Sequence, residues 1–190
     1  MSPPSMHAAT ASSRTYENPV IGDKVVFLKT SRETSGAYTL LQLELAPGGG
    51  NALHIHSTTA ETFIPTEGNL EVRCGKARKV IGPGASFTVP AGAVHCFHNP
   101  TDQPISFRVK LEPGHEGFEN SVKIAYGLAT DGLTDRRSVP RNFGHLALLV
   151  TMSDTYPVGL VSLLMPVLRW KARQARTRGV ERNLFERYCR

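Results

Sequence analysis

Between Lys24 and Leu111 the chain never runs far without a turn former, and this pattern constrains its fold more than any other feature. Nine short stretches with apolar residues (24–29, 37–46, 52–56, 61–65, 69–74, 77–81, 85–90, 93–98 and 104–112) are separated by breakers. In the last of them Ile105, Phe107, Val109 and Leu111 alternate with Ser106, Arg108 and Lys110, the period of a strand with one buried face. The breakers are Pro47-Gly48-Gly49-Gly50, Gly68-Asn69, Gly82-Pro83-Gly84, Pro90-Ala91-Gly92 and Asn99-Pro100, residue types that accept positive φ or preset a turn. Nine short strands at this spacing predict an antiparallel sandwich or barrel, and hence a mainly β protein.

After Pro113 the period changes. Phe118, Val122, Ala125 and Leu128 recur at helical spacing, with Glu116 and Glu119 in the first turn and Asp131-Gly132 as the stop. A second helix is expected after the N-cap Asn142, and a third after Pro157 that Pro166 should kink or break. Arg169 to Arg178 continues the third helix or begins a fourth, with Gly179 as a stop. Residues 1–18, rich in Ser, Ala, Thr and Pro without periodicity, are expected to be disordered. The expected organisation is therefore 1–18 disordered, 19–113 β-barrel and 114–190 helical extension.

The net charge of +6 suggests a nucleic-acid partner until it is located along the chain. From Arg169 onward eight basic residues face only Glu181 and Glu186, which accounts for the whole excess. A nucleic-acid binder carries its charge on the reading surface with aromatics interleaved, so no nucleic-acid partner is expected. Asp154 and Pro157 interrupt the most apolar region, Leu146 to Leu168, which argues against a membrane span. The N-terminus has neither a basic start nor an apolar stretch, and the three cysteines, Cys74, Cys96 and Cys189, make no disulfide framework. The chain is accordingly read as cytoplasmic.

The chemistry concentrates in two spaced motifs. The first is Gly48-x5-His54-x-His56-x4-Glu61-x6-Gly68, and the second Gly84-x5-Pro90-x-Gly92-x2-His95-x3-Asn99. On a strand His54 and His56 project from one face with Cα atoms ~6.6 Å apart, so both imidazoles can converge on one ion. Glu61 re-enters a strand after the polar corner Ser57-Thr58-Thr59, and His95 arrives from a strand distant in sequence. Three imidazoles and a carboxylate suit a borderline divalent metal: Fe, Mn, Ni, Zn, Co or Cu. The competing reading is a metal-free polar pocket, which clustered unpaired histidines in a core would make costly.

With both motifs matched at all ten positions, the stretch from about Gly22 to Leu111 resembles the cupin superfamily. The resemblance implies a double-stranded β-helix, a small jelly roll with a ligand cavity. Pro65 departs from the family pattern, and a proline within a strand points to an edge or a bulge. His98 lies at an odd offset from His95 and so faces away with Cys96, unless a bulge reverses the parity. Cys96 reads as a packed hydrophobe, and Phe63 and Phe97 share the parity of the ligands.

The favoured function is a metal-dependent cupin that binds a small organic molecule, as an oxygenase-type, dioxygenase-like enzyme with Glu61 as candidate catalytic residue. The alternative is a non-enzymatic module binding a metal and a small ligand. The apolar content of residues 143–168 is expected to be buried on the barrel, within the layer or across a homodimer. Contact of the basic C-terminal helices with a membrane surface is the less favoured reading.

Overall fold

A computed structural model describes residues 14–189. Ten strands precede the first helix: β1 (Thr15–Asn18), β2 (Asp23–Lys29), β3 (Thr39–Leu45), β4 (His54–His56), β5 (Ala60–Glu67), β6 (Leu70–Cys74), β7 (Ala77–Ile81), β8 (Phe87–Val89), β9 (His95–His98) and β10 (Ile105–Glu112). The helical part holds α1 (Glu116–Thr130), α2 (Phe143–Met152), an eleventh strand β11 (Thr155–Pro157), a 3-10 helix (Gly159–Leu164), α3 (Met165–Thr177) and α4 (Val180–Tyr188). Two antiparallel sheets face each other, in the orders β1-β2-β3-β10-β5-β8 and β11-β4-β9-β6-β7. This is the expected jelly-roll barrel followed by helices.

The alternation of β10 places Ile105, Phe107, Val109 and Leu111 between the sheets, where they join Val25, Phe27, Leu41, Phe63 and Val72 in one core. Phe63, Phe97 and Phe107 fill its centre with ring centroids 5.3–6.4 Å apart, a spacing suited to edge and tilted aromatic packing. Pro65 sits where the β5–β10 register slips between Ser106 and Phe107. A bulge there accommodates a residue with no N–H to give the ladder.

Two expectations need correction. Order begins before residue 18, because Thr15–Asn18 pair with β2 and the Tyr16 ring packs edge-on against Phe27 at 5.7 Å. That gain comes from tertiary contacts, which the local composition does not show. The rest of the segment expected to be disordered, residues 1–13, lies outside the described residues.

Second, no helix follows Pro157 directly. Thr155–Pro157 form β11, a 3-10 helix starts only at Gly159, and the break expected at Pro166 falls where that helix gives way to α3, which Pro166 opens. A proline suits a first helical turn, whose N–H groups have no intrahelical acceptor. The helical extension thereby contributes an edge strand to the barrel.

Of the apolar residues of the layer and the start of α3, Leu160, Leu163, Leu164, Val167 and Trp170 are exposed in the single chain, Leu160 by 85%, so their expected burial falls to the homodimer alternative. The reason is periodicity. A 3-10 helix aligns residues three apart, so Leu160 and Leu163 share one side. In α3 the buried stripe is Met165, Leu168, Ala172 and Ala175, which leaves Val167 and Trp170 on the outside. No helix among the described residues is long and apolar enough to cross a membrane.

Helix α1 joins the two parts. Its N-cap is His115, whose Nδ1 accepts from the Phe118 N–H at 2.8 Å. Phe118, Val122 and Tyr126 pack on the barrel core, while Ile124 and Leu128 enter a second core with Leu148, Leu168 and Leu184. Asn142 caps α2 as expected, with Oδ1 accepting from the N–H groups of Gly144 and His145.

Candidate metal centre

The four predicted side chains meet. His54 and His56 come from β4, His95 from the adjacent strand β9, and Glu61 from β5 in the opposite sheet, so the cluster bridges the barrel interior. His54 and His95 are direct register partners. Gly92, at φ 79°, turns the chain between β8 and β9, and its N–H donates to the His56 carbonyl at 2.7 Å. All four side chains are buried, and one ligand atom from each lies within 4.8 Å of the others.

The hydrogen bonds decide which nitrogens face inward. Each Nδ1 lies beside a backbone carbonyl: His54 by Ala52 at 2.9 Å, His95 by Ala93 at 2.9 Å, and His56 by Asp154 at 3.1 Å. A carbonyl has no proton to give, so each Nδ1–H donates and each Nε2 presents a lone pair in the neutral ring. The Nε2 atoms of His54 and His56 are 3.2 Å apart, and the Glu61 oxygens lie 3.5 Å from His56 Nε2 and 2.9 Å from His95 Nε2. Acceptors this close need a cation or a shared proton between them. The donor set therefore fits a divalent ion.

Burial drives the His54 pKa down to about 4, and the neighbouring His95 adds to the effect. For His56 burial works the same way, but hydrogen bonding and charge from Glu61 outweigh it and hold the ring above its usual range. Burial opposes ionisation of Glu61 too, yet His56 and His95 together keep its carboxyl far below the ordinary carboxylate range.

One residue of this arrangement was not found by sequence reasoning. Asp154 lies at φ 54°, just before β11, which pairs with β4 so that Thr155 opposes His56. Its carbonyl accepts from His56. Its carboxylate accepts from Ser57 Oγ at 2.5 Å, Thr58 N–H at 2.9 Å and Thr58 Oγ1 at 2.8 Å. The helical extension thus orients a side chain of the cluster and clamps the corner beyond it. Its only mark in the sequence is an acidic residue within an apolar run, which names no partner.

The other candidates lie elsewhere. His98 is exposed, at the end of β9, and takes no part in the cluster. Cys96 is half-buried, and burial pushes its thiol up despite Arg73 on the neighbouring strand. Asn99, the last motif position, is fully buried and donates from Nδ2 to the carbonyls of Leu45, Ala46 and Gln103, a purely architectural role. Phe63 is sealed in the core, whereas Phe97 reaches the cavity.

That cavity, of about 500 Å³, opens beside His54, His56 and Glu61. The barrel supplies one wall and the helices the other, through Phe118, Val122, Leu146, Val150 and Leu168.

Residues 41–117, which hold all four clustered side chains, match the cupin domain family. That match covers the strands that carry the cluster and the start of α1, and the helical extension beyond residue 117 lies outside it. Mannose-1-phosphate guanylyltransferase of Escherichia coli is 28% identical over 92 residues, 48% of this chain and 19% of that protein. The chain spans about a fifth of the length of the two guanylyltransferases it matches. Germin-like protein 3-7 of Oryza sativa is 39% identical over 64 residues, 31% of this chain and 28% of the other. An RmlC-like cupin of known structure from Shewanella frigidimarina is 21% identical, with a TM-score of 0.47 over 54% of this chain and 86% of that one.

Proposed function

We propose that His54, His56, Glu61 and His95 hold a divalent metal ion and that the cupin acts on a small organic molecule beside it, as an oxygenase-type enzyme. The observation that carries this reading is the tethering of all three Nδ1–H groups to carbonyls, which turns three Nε2 lone pairs and one carboxylate toward a common point. Such ordering has a conformational cost that a pocket without an ion would have no reason to bear. When bound, an ion of the Fe, Mn, Ni, Zn, Co or Cu set would supply Lewis-acid polarisation of a substrate oxygen and, if redox-active, electron exchange with dioxygen.

The protein's own contribution centres on Glu61, the only carboxylate among the described residues lining the cavity. Its low pKa depends on hydrogen bonds from His56 and His95. An ion held by the four side chains would take over from those hydrogen bonds in keeping Glu61 ionised, and only a carboxylate displaced from that ion would feel burial raise its proton affinity. Its carboxylate oxygens can then take a proton from an acidic C–H or O–H held in the cavity. The apolar walls keep water from competing for that proton.

Oxygen uptake by metal-loaded protein across a panel of enols, diketones and phenols tests the reading. Glu61→Gln should keep part of the metal and lose most turnover per bound ion. A second reading, a non-enzymatic module that binds metal and ligand, is favoured by the lack of a second carboxylate or a lysine in the described cavity wall to complete an acid–base pair. Tight ligand binding with no turnover under any metal would select it.

A further inference from the structure

The cavity wall is far more selective than the metal cage beside it. Among the described residues that line it, Glu61 carries the only formal charge apart from the imidazoles, and no lysine or arginine takes part. The barrel side presents Val25 and Leu41, and the helical side Phe118, Val122, Leu146 and Leu168. The other polar side chains of the wall are Asn51, Tyr126 and Thr155, and two of their oxygens are already engaged. Asn51 Oδ1 accepts from the Phe97 N–H at 2.8 Å, and Thr155 Oγ1 donates to the Ser153 carbonyl at 3.3 Å.

Away from the four-residue cluster a phosphate would meet no lysine or arginine to pair with, and most hydroxyls of a sugar would give up water for hydrocarbon. A hydrocarbon chain or ring loses nothing there and gains from leaving water. The volume of about 500 Å³ lies in the range of ordinary small-molecule sites.

We infer that the cavity takes an amphiphilic small molecule, with one anionic oxygen head against the His54, His56 and Glu61 face and an apolar body among Val122, Leu146 and their neighbours. The inference rests on the reading that the four-residue cluster holds a metal, since a carboxylate or enolate head beside Glu61 needs a cation between them. The body's share of the selectivity belongs to the helical extension, which supplies half of the wall.

The test is calorimetric titration of the full-length protein, loaded with Mn(II), against butanoate, hexanoate and octanoate. Gluconate and mannose 1-phosphate serve as polar counterparts. Hexanoate and gluconate share a head and a chain length and differ only in hydroxyls. Each two-carbon extension should tighten binding by about tenfold, and gluconate should bind at least tenfold more weakly than hexanoate. Val122→Glu and Leu146→Gln should each reduce octanoate affinity by about tenfold or more, and Leu160→Ser, on the exposed 3-10 helix, should not change it.

Equal binding of gluconate and hexanoate, or tighter binding of mannose 1-phosphate, overturns the inference and leaves the metal reading intact. Failure of the protein to take up Mn(II), Zn(II) or Ni(II) refutes the metal reading instead. The apolar body is then tested alone with butanol, hexanol and octanol. A chain-length dependence lost in Val122→Glu and Leu146→Gln supports it, and its absence overturns it.

Discussion

The barrel and the helical layer solve opposite problems. The barrel buries three imidazoles and a carboxylate at one point and makes this tolerable with hydrogen bonds, three of them to carbonyls. The buried faces of α2, α3 and α4 hold apolar or small residues throughout, while Leu160, Leu163, Leu164, Val167 and Trp170 are exposed in the single chain. Position in the barrel cluster is thus set by directional bonds, whereas the interior of the layer is set by apolar packing, with polar links such as Arg187–Asp131 and Arg176–Glu181 at its surface. The two meet at Asp154 and β11, where a packed element controls the orientation of a polar one.

The largest effect should come from the cage. His56→Ala removes one donor and leaves the Asp154 carbonyl without its partner, so divalent-ion affinity should fall at least a hundredfold, whereas His98→Ala should not change it. Calorimetry with Zn(II) or Mn(II) reads both, and equal affinity of His56→Ala and wild type would break the contrast between directed and packed regions.

In the layer, Leu148 is completely buried, and Leu148→Ala should cost about 2–5 kcal/mol in urea unfolding. A much smaller loss would mean that the second core is loosely packed and repacks around the gap.

Asp154→Gly tests the junction. Glycine accepts the residue's φ of 54°, so the change removes the carboxylate clamp on Ser57 and Thr58 without backbone strain. Metal affinity should drop by about tenfold, as His56 loses a fixed acceptor position. Unchanged affinity would show that β4–β11 pairing alone holds the carbonyl in place.

A smaller effect is expected at the base of β2. Asp23 is buried, its Oδ1 has no hydrogen-bond partner among the described residues, and burial lifts its carboxyl to about 7. The unfolded chain gives up that proton near pH ~3.9. As pH rises from there toward 7 the unfolded state loses a proton that the folded state keeps, so stability falls across this window and levels off above it. Asp23→Asn should flatten the slope and add roughly 1–2 kcal/mol at neutral pH, partial solvent contact moderating the gain. Urea titrations at several pH values will show whether the slope survives.

The smallest effect belongs to the exposed strip. Leu160→Ser should change stability by less than about 0.5 kcal/mol. A larger loss in dilute solution would reveal that this strip is covered when the protein is free.

The elements legible in the sequence are those whose signal is local. Period-two alternation, turn residues and caps located β2 to β10, α1 and α2, because a strand or helix writes its period into neighbouring residues. The spacing of His54, His56, Glu61 and His95 was legible because two strand parities and one turn suffice to bring them together. β1, β11, the Asp154 carbonyl and the helical wall of the cavity depend on contacts between residues far apart in the chain, and such contacts leave no period to read. The clearest case is His56. Sequence alone names it as a ligand, but the backbone oxygen that turns its Nε2 inward belongs to a residue 98 positions away, and only the pairing of β11 with β4 brings the two together.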